Sequence, residues 1–185
     1  MTDDSPQLLD APTMQRTLLR LAHEIAERHP SISGVLLAGI RTRGLPLADR
    51  IAQSLDEFGL KRPVVAELDA RDYRDDTPRP RPAPNGALRA GDGTAPHIDG
   101  ATVIVIDDVL FTGRTVRAAL DALMHAGRPS AVEVLVLIDR GHRELPVRAT
   151  YVGKNIPTAI PDRVMVKVRE IDGVDGAWLL RRVGV

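Results

Sequence analysis

The sequence predicts an α/β fold, a mostly parallel central sheet with helices on both faces, in a single domain over residues 1–185. Three observations lead there. Short continuous runs of apolar residues at 34–39, 102–106 and 132–138 read as strands buried on both faces, which is the habit of parallel sheets. The first two runs are each followed by a stretch with helical apolar spacing. A chain of 185 residues with 43% hydrophobic and 27% charged residues has the size and composition of one globular domain.

In chain order, Asp10 caps a helix entered through Ala11 and Pro12, with Met14, Leu18, Leu21 and Ile25 on one face and Pro30 at its end. The run from Gly34 to Gly39 is the first strand. From Leu45 to Phe58, Leu47, Ile51 and Leu55 repeat every four residues until Gly59 stops the pattern, predicting a second helix. A strand follows from Arg62 to Leu68. Between Asp69 and Gly100 lie five of the 14 prolines together with Gly86, Gly91 and Gly93, so this stretch is expected to be a long loop of the kind that serves as a lid. A strand at Thr102–Ile106, a helix from Gly113 to His125 and a strand at Val132–Ile138 repeat the alternation, with right-handed crossovers between parallel strands. Shorter strands are expected at Ala149–Val152, Val164–Val168 and Trp178–Leu180.

Composition removes several function classes. The absence of cysteine excludes disulfide frameworks, thiolate metal sites and cysteine nucleophiles, and favours a reducing compartment. The acidic start, Met1 to Pro6, is unlike a secretory signal, and no run approaches a membrane span, so a cytoplasmic protein without membrane association is expected. With 25 Lys+Arg against 25 Asp+Glu, the whole chain carries no excess charge for nucleic acid. Any such binding must come from a local face.

The segment Val103-Ile-Val-Ile-Asp-Asp-Val-Leu-Phe-Thr-Gly-Arg-Thr115 is the most informative. A buried strand delivers two adjacent carboxylates, Asp107 and Asp108, to the carboxyl edge of the sheet, where open α/β sheets bind ligands. Free backbone N–H groups at the following helix start suit a phosphate, Gly113 permits close approach, and Thr112 and Thr115 add hydroxyls. By residue type alone, Asp108 could equally cap the helix. A ribose between carboxylates and phosphate would explain both, since its hydroxyls donate to Asp107 and Asp108 while its 5′-phosphate occupies the cradle. Neither a Walker loop nor a dinucleotide fingerprint is present. A second glycine-bounded loop, Gly39-Ile-Arg-Thr-Arg-Gly44, joins the first strand to the second helix.

The string from Val103 to Thr115 resembles the 5-phosphoribosyl-1-pyrophosphate (PRPP) signature of type I phosphoribosyltransferases. Asp139-Arg-Gly-His-Arg-Glu-Leu-Pro146 and the continuation to Pro157-Thr158 resemble one family in particular, the bifunctional pyrimidine operon regulators and uracil phosphoribosyltransferases of the PyrR family. The likeness covers about four fifths of the chain. It implies the type I phosphoribosyltransferase fold with a flexible flap at about 69–100 and a small hood. It also implies conversion of uracil and PRPP to UMP and pyrophosphate, with Mg²⁺ held mainly by PRPP rather than by a protein metal site.

On this resemblance Asp107, Asp108 and Arg43 are the catalytic candidates, and PRPP meets Thr42, Arg43, Asp107, Asp108, Val109, Leu110, Phe111, Thr112, Gly113, Arg114 and Thr115. Arg140 and Val164 bind the base, Tyr73 and Arg74 lie in the flap, and the 39–44 loop is one that can carry a non-proline cis peptide. The family also binds a stem-loop of leader mRNA under control of UMP and UTP, which assigns RNA contact to His23, Arg143, Arg148 and Lys154 in a homodimer or homotetramer. Between Arg140 and Lys154 four cations face one Glu, 4 − 1 = +3, which suits that role. Two departures stand out: Leu19 occupies a position where the family commonly has Thr, and the flap reads Asp69-Ala-Arg-Asp-Tyr73 where relatives have Ile-Thr and an apolar residue. An RNA-binding regulator with little transferase activity and a purine phosphoribosyltransferase are the competing readings.

Overall fold

In the computed structural model, which describes residues 5–74 and 87–181, the chain forms β1 (Gln7–Leu9), α1 (Ala11–Arg28), β2 (Val35–Ile40), α2 (Gly44–Glu57), β3 (Val64–Leu68), β4 (Leu88–Ala90), β5 (Thr102–Leu110), α3 (Arg114–Ala126), β6 (Ala131–Asp139), β7 (Tyr151–Asn155), β8 (Arg163–Lys167), α4 (Arg169–Asp172) and β9 (Gly176–Leu180). A six-stranded sheet has the order β4-β3-β2-β5-β6-β7, parallel throughout except that β4 runs against β3. A separate antiparallel sheet, β1-β9-β8, forms the hood.

Strand alternation sorts the apolar side chains onto two faces. Leu37, Ile104, Ile106, Leu135 and Leu137 pack with α1, α2 and residues of the hood. Leu36, Ala38, Val103 and Val105 pack instead beneath Ala118, Ala119, Ala122 and Leu123 of α3. Helices therefore cover both faces. α1 starts where expected because the Asp10 side chain accepts from the Thr13 N–H at 2.8 Å, and it buries Met14, Leu18, Leu21 and Ile25.

Several expectations need correction. The segment 69–100 is not continuous loop: it holds a one-turn 3₁₀ helix at Arg71–Tyr73 and the strand β4, which pairs with β3, while residues 75–86, the centre of the expected flap, lie outside the described residues. The strand expected at Ala149–Val152 is displaced to Tyr151–Asn155, because its ladder with β6 runs from Leu135↔Tyr151 to Asp139↔Asn155. Pairing, not side-chain apolarity, makes the polar Lys154 and Asn155 a strand.

At the amino end of β6, Glu133 is 8% exposed and collects three partners. The Tyr151 hydroxyl donates to it at 2.6 Å, His29 Nε2 lies 3.0 Å away and Arg28 Nε 2.8 Å away. Burial opposes ionisation of Glu133, but the hydrogen bonds from Tyr151 and His29 and the nearby charges outweigh it and hold the carboxyl below its usual range. A depressed folded-state value means stability that is present above the unfolded-state value and lost as pH falls through the folded one. Glu133→Gln therefore costs about 2 kcal/mol at pH 7 in urea denaturation, and the gap from the parent closes as pH drops below about 4.

Candidate phosphoribosyl site

The site begins where β5 outlasts one of its neighbours. Pairing with β2 ends at Gly39↔Ile106, whereas pairing with β6 continues through Asp107↔Val136 and Val109↔Ile138 to Leu110↔Asp139. The strand thus runs to Leu110, beyond the expected end at Ile106, and one edge of Asp107–Leu110 is released from the ladder. The acids themselves hold the freed backbone: the Asp108 N–H donates to Asp107 Oδ1 at 2.9 Å and the Val109 N–H to Asp108 Oδ1 at 2.8 Å. Asp107 is buried and Asp108 half-buried. Burial pushes the Asp107 carboxyl well above the usual carboxylate range, and the adjacent Asp108 charge pushes it further. Burial also raises Asp108, with the Asp107 carboxyl and the Arg43 charge pulling the other way. Hydroxyl donors and a cation are the groups whose contact would offset the desolvation of two such carboxyls.

Beyond them the chain turns through Gly113, at φ +91°, into α3; the N-cap glycine has no side chain to cap the helix, and the first turn meets only a long hydrogen bond, 3.4 Å, from the Arg114 N–H to Thr112 Oγ1. Uncapped N–H groups and the positive end of the helix dipole make an anion cradle. The cradle is braced from the loop after β6. Arg143 donates to the Phe111 carbonyl at 2.7 Å, the Glu144 and Leu145 N–H groups donate to the Thr112 carbonyl at 3.0 and 3.1 Å, and Arg114 Nε pairs with Glu144 at 2.7 Å. Within the predicted PRPP set, Leu110 is buried in the core and Val109 packs against it, so these two offer a ligand backbone rather than side chain.

The second loop closes over the end of β5 because it has glycine at both ends. A Cβ on Gly44 would lie 2.2 Å from the Ile106 carbonyl oxygen, and one on Gly39 would lie 2.4 Å from Leu45 Cα. A non-proline cis peptide is present between Arg41 and Thr42. Thr42 is exposed. Arg41 turns toward β3, reaching Glu67 at 3.3 Å and Asp69 at 3.4 Å. Arg43 points the other way: its Nε and Nη2 fork onto Asp172 of the hood at 3.0 and 2.8 Å. Hydrogen bonding to Asp172, with the charges of Asp172 and Asp108, raises Arg43 against the opposing effect of burial. Asp172 was not legible as a site residue, since 129 positions separate it from Arg43.

Two comparisons decide the family. The phosphoribosyl transferase domain family matches residues 4–167. The bifunctional protein PyrR of Chloroflexus aurantiacus is 53% identical over 175 residues, covering 95% of this chain and 94% of that protein. This chain belongs to the PyrR phosphoribosyltransferases. Another relative, the bifunctional protein PyrR of Thermus thermophilus, is 48% identical over 179 residues, covering 96% of this chain and 97% of its own length. Among solved structures, hypoxanthine phosphoribosyltransferases from Staphylococcus aureus (TM-score 0.69, 19% identity, 95% of this chain and 92% of that one) and Trypanosoma cruzi (TM-score 0.68, 18% identity, 95% and 94%) share the fold. The type I phosphoribosyltransferase architecture read from the sequence is the one present.

The remaining predicted residues of this PyrR chain fall into three places. Arg140, 5% exposed, leaves the end of β6 with its guanidinium 4.0 Å from the Phe111 ring centroid, donating to Thr158 Oγ1 and to the Ala159 carbonyl, both at 3.0 Å. Val164 sits half-buried on β8, paired with Leu179. Tyr73 packs 5.3 Å from the ring of His125, near the end of α3 opposite the cradle; Arg74, beside it, is exposed. α1 lies along β7, where Arg20 donates to the carbonyls of Val152 and Gly153 at 3.1 and 2.7 Å and Lys154 donates to the Leu8 carbonyl at 3.0 Å. His23, exposed on α1, stacks on Phe58 at 4.0 Å. Arg148 is exposed, but Arg143 is turned inward onto Asp139 and the carbonyls of Phe111, Gly141 and Val147. Among the described residues no helix is long and apolar enough to cross a membrane.

Proposed function

We propose that this phosphoribosyltransferase joins uracil to PRPP, giving UMP and pyrophosphate. The observation that carries the reading is the backbone-anchored pair of buried Asp107 and half-buried Asp108, set at the released edge of β5 just ahead of the turn into α3. The ribose hydroxyls donate to the two carboxylates, the 5′-phosphate takes the N–H groups of 112–115, and the pyrophosphate lies toward Thr42 and Arg43. The carboxylate field favours the positive charge that develops at the anomeric carbon as its bond to pyrophosphate breaks. The hard oxygen donors of Asp107 and Asp108 fit a Mg²⁺ ion that arrives on PRPP, since this ion is commonly bound by one or two carboxylates plus substrate phosphates. When bound, it neutralises the leaving pyrophosphate. Arg140 and the backbone near Val164 select the base.

The test is direct. Incubated with PRPP and Mg²⁺, the protein is expected to convert uracil, and neither hypoxanthine nor guanine, to the nucleotide. Formation of a purine nucleotide instead, or no UMP above an Asp107→Asn/Asp108→Asn control, would sink the reading.

The second half of the proposal is uridine-nucleotide-dependent binding of a leader-mRNA hairpin, by a homodimer or homotetramer that pairs two such faces. Support comes from the packing of α1 against β7, which gathers His23, Arg20 and Lys154 on one side of the molecule. Formal charge overstates that face, because Arg140 is buried and Arg143 is spent on Asp139. With Arg20 paired to Glu24 as well, Arg148 and Lys154 are the exposed cations left of the basic segment. Arg148→Ala is expected to weaken hairpin binding in the presence of UMP and to flatten the log–log salt dependence by about 0.7–0.9. Gel-shift titrations at several salt concentrations measure both, and UMP-independent binding to any hairpin counts against the proposal.

A further inference from the structure

We infer that Asp172 is an internal competitor for the pyrophosphate group: it occupies the Arg43 fork between turnovers and retakes it as product leaves. The inference rests on the proposed placement of pyrophosphate at Arg43. Its own support is geometric. A guanidinium offers two parallel N–H bonds that suit a carboxylate and a phosphate alike, and both of those presented by Arg43 Nε and Nη2 go to Asp172, at 3.0 and 2.8 Å. Arg43 lies in the loop that ends β2, the loop whose glycines fit it against β5 beside Asp107 and Asp108. An incoming diphosphate that takes this edge of the guanidinium, the one that forks in parallel, displaces Asp172 or shares the fork with it.

Asp172 is not an idle surface acid. Its Oδ2 also accepts from the Val168 N–H at 2.9 Å, and its own N–H donates to the Val168 carbonyl at 2.7 Å, so the carboxylate is held in place at the end of β8. Its side chain is 16% exposed. Arg43, Asp172 and Asp108 form one electrostatic group across the pyrophosphate loop, the hood and β5. When a diphosphate takes Arg43, Asp172 keeps its tie to Val168 and loses its cation, and its negative charge then repels the bound product. Release is favoured for that reason. Asp172 is thus a positioning residue for Arg43 and acts on the substrate through it.

A second set of ion pairs supplies the control. Arg50 of α2 binds Glu170 at 2.6 Å and Asp175 at 2.7 Å, tying the same hood segment to the same helix without touching the pyrophosphate loop. Loosening the hood through Glu170→Gln tests hood attachment alone, and Asp172→Asn removes the charge while its amide oxygen still accepts from Val168.

The experiment is calorimetric titration of the full-length protein with inorganic pyrophosphate and Mg²⁺, paired with steady-state kinetics. If the fork is free about a tenth of the time in the parent, Asp172→Asn tightens pyrophosphate binding about ten-fold. KM for PRPP falls with it, and kcat falls because release of pyrophosphate slows. Glu170→Gln changes neither, and adding Arg43→Gln to Asp172→Asn abolishes the gain. Weaker or unchanged pyrophosphate binding in Asp172→Asn, or a gain that survives Arg43→Gln, overturns the inference. Thermal unfolding of each variant identifies any that fails to fold, and Asp172→Ser then replaces Asp172→Asn with the same expected tightening. The parent protein's ability to make UMP is read separately, so failure of the uracil assignment is distinguishable from failure of the competitor role.

Discussion

Asp107→Asn lowers kcat/KM for PRPP by about 10²–10³-fold and raises the melting temperature. The two effects share one cause. In the folded protein burial, and then the Asp108 charge, lifts the Asp107 carboxyl well above the usual range, whereas in the unfolded chain it titrates near 3.9. For an acid shifted upward, the native state binds more protons than the unfolded state between the two values, so stability falls as pH rises across that window. The cost is present in full once pH exceeds the folded-state value. Asn carries no charge to desolvate and keeps an amide oxygen for the Asp108 N–H, so it should recover about 1–2 kcal/mol, or roughly 2–8 °C for a chain of this size. The gain should shrink as the parent is moved to lower pH. Catalysis moves the opposite way because the same charge stabilises the sugar as it becomes cationic. The acid limb of the parent's kcat/KM profile is expected above the ordinary carboxylate range, and in Asp107→Asn it moves down, since the more strongly raised of the two carboxyls is gone. A variant that loses activity without gaining stability would mean that Asp107 is ionised and compensated in the resting protein.

How far the sequence could be read depended on whether each element carries its own reason to form. β2, β5 and β6 are continuous apolar runs, and α1 and α2 repeat apolar residues every three or four positions; all five lie within a few residues of their expected places. β1, β4 and α4 are three or four residues long and exist through partners distant in the chain, as Gln7 pairs with Trp178 and Leu88 with Leu68. No local pattern announces such pairs. The site divides in the same way. Asp107 to Thr115 is legible because strand, acids and helix start are contiguous, while the Arg43 to Asp172 fork and the stack of Arg140 on Phe111 join segments that only the folded topology brings together. The overall charge balance was legible too, but the direction of each charge was not. Arg143 counts toward a basic segment on paper and spends its charge internally in the fold.

Gly44→Ala is expected to cost more activity than any single change outside the carboxylate pair, though it removes no functional group. The added methyl would sit 2.2 Å from the Ile106 carbonyl oxygen and 3.2 Å from Gly39 carbonyl carbon, and both neighbours are backbone that no rotamer change can move. Relief requires the start of α2 to lift from the end of β5 by about 1 Å, since ordinary contacts to carbon lie near 3.5 Å. That lift carries the loop from Ile40 to Arg43 with it and separates the proposed pyrophosphate contacts from Asp107 and Asp108. A displacement of this size at a reacting centre costs about 10²-fold in rate, and overpacking of a buried position costs about 1–3 kcal/mol. Gly91→Ala is the matched control: nothing lies within 4 Å of the methyl it would add, so its stability should stay within about 0.5 kcal/mol of the parent. Denaturation midpoints and kcat/KM for PRPP, measured on both variants, separate crowding at Gly44 from a general intolerance of alanine. If Gly44→Ala matched the parent in both, the pyrophosphate loop would be free to sit away from β5 during catalysis, and the close approach of the two loops would not be what assembles the site.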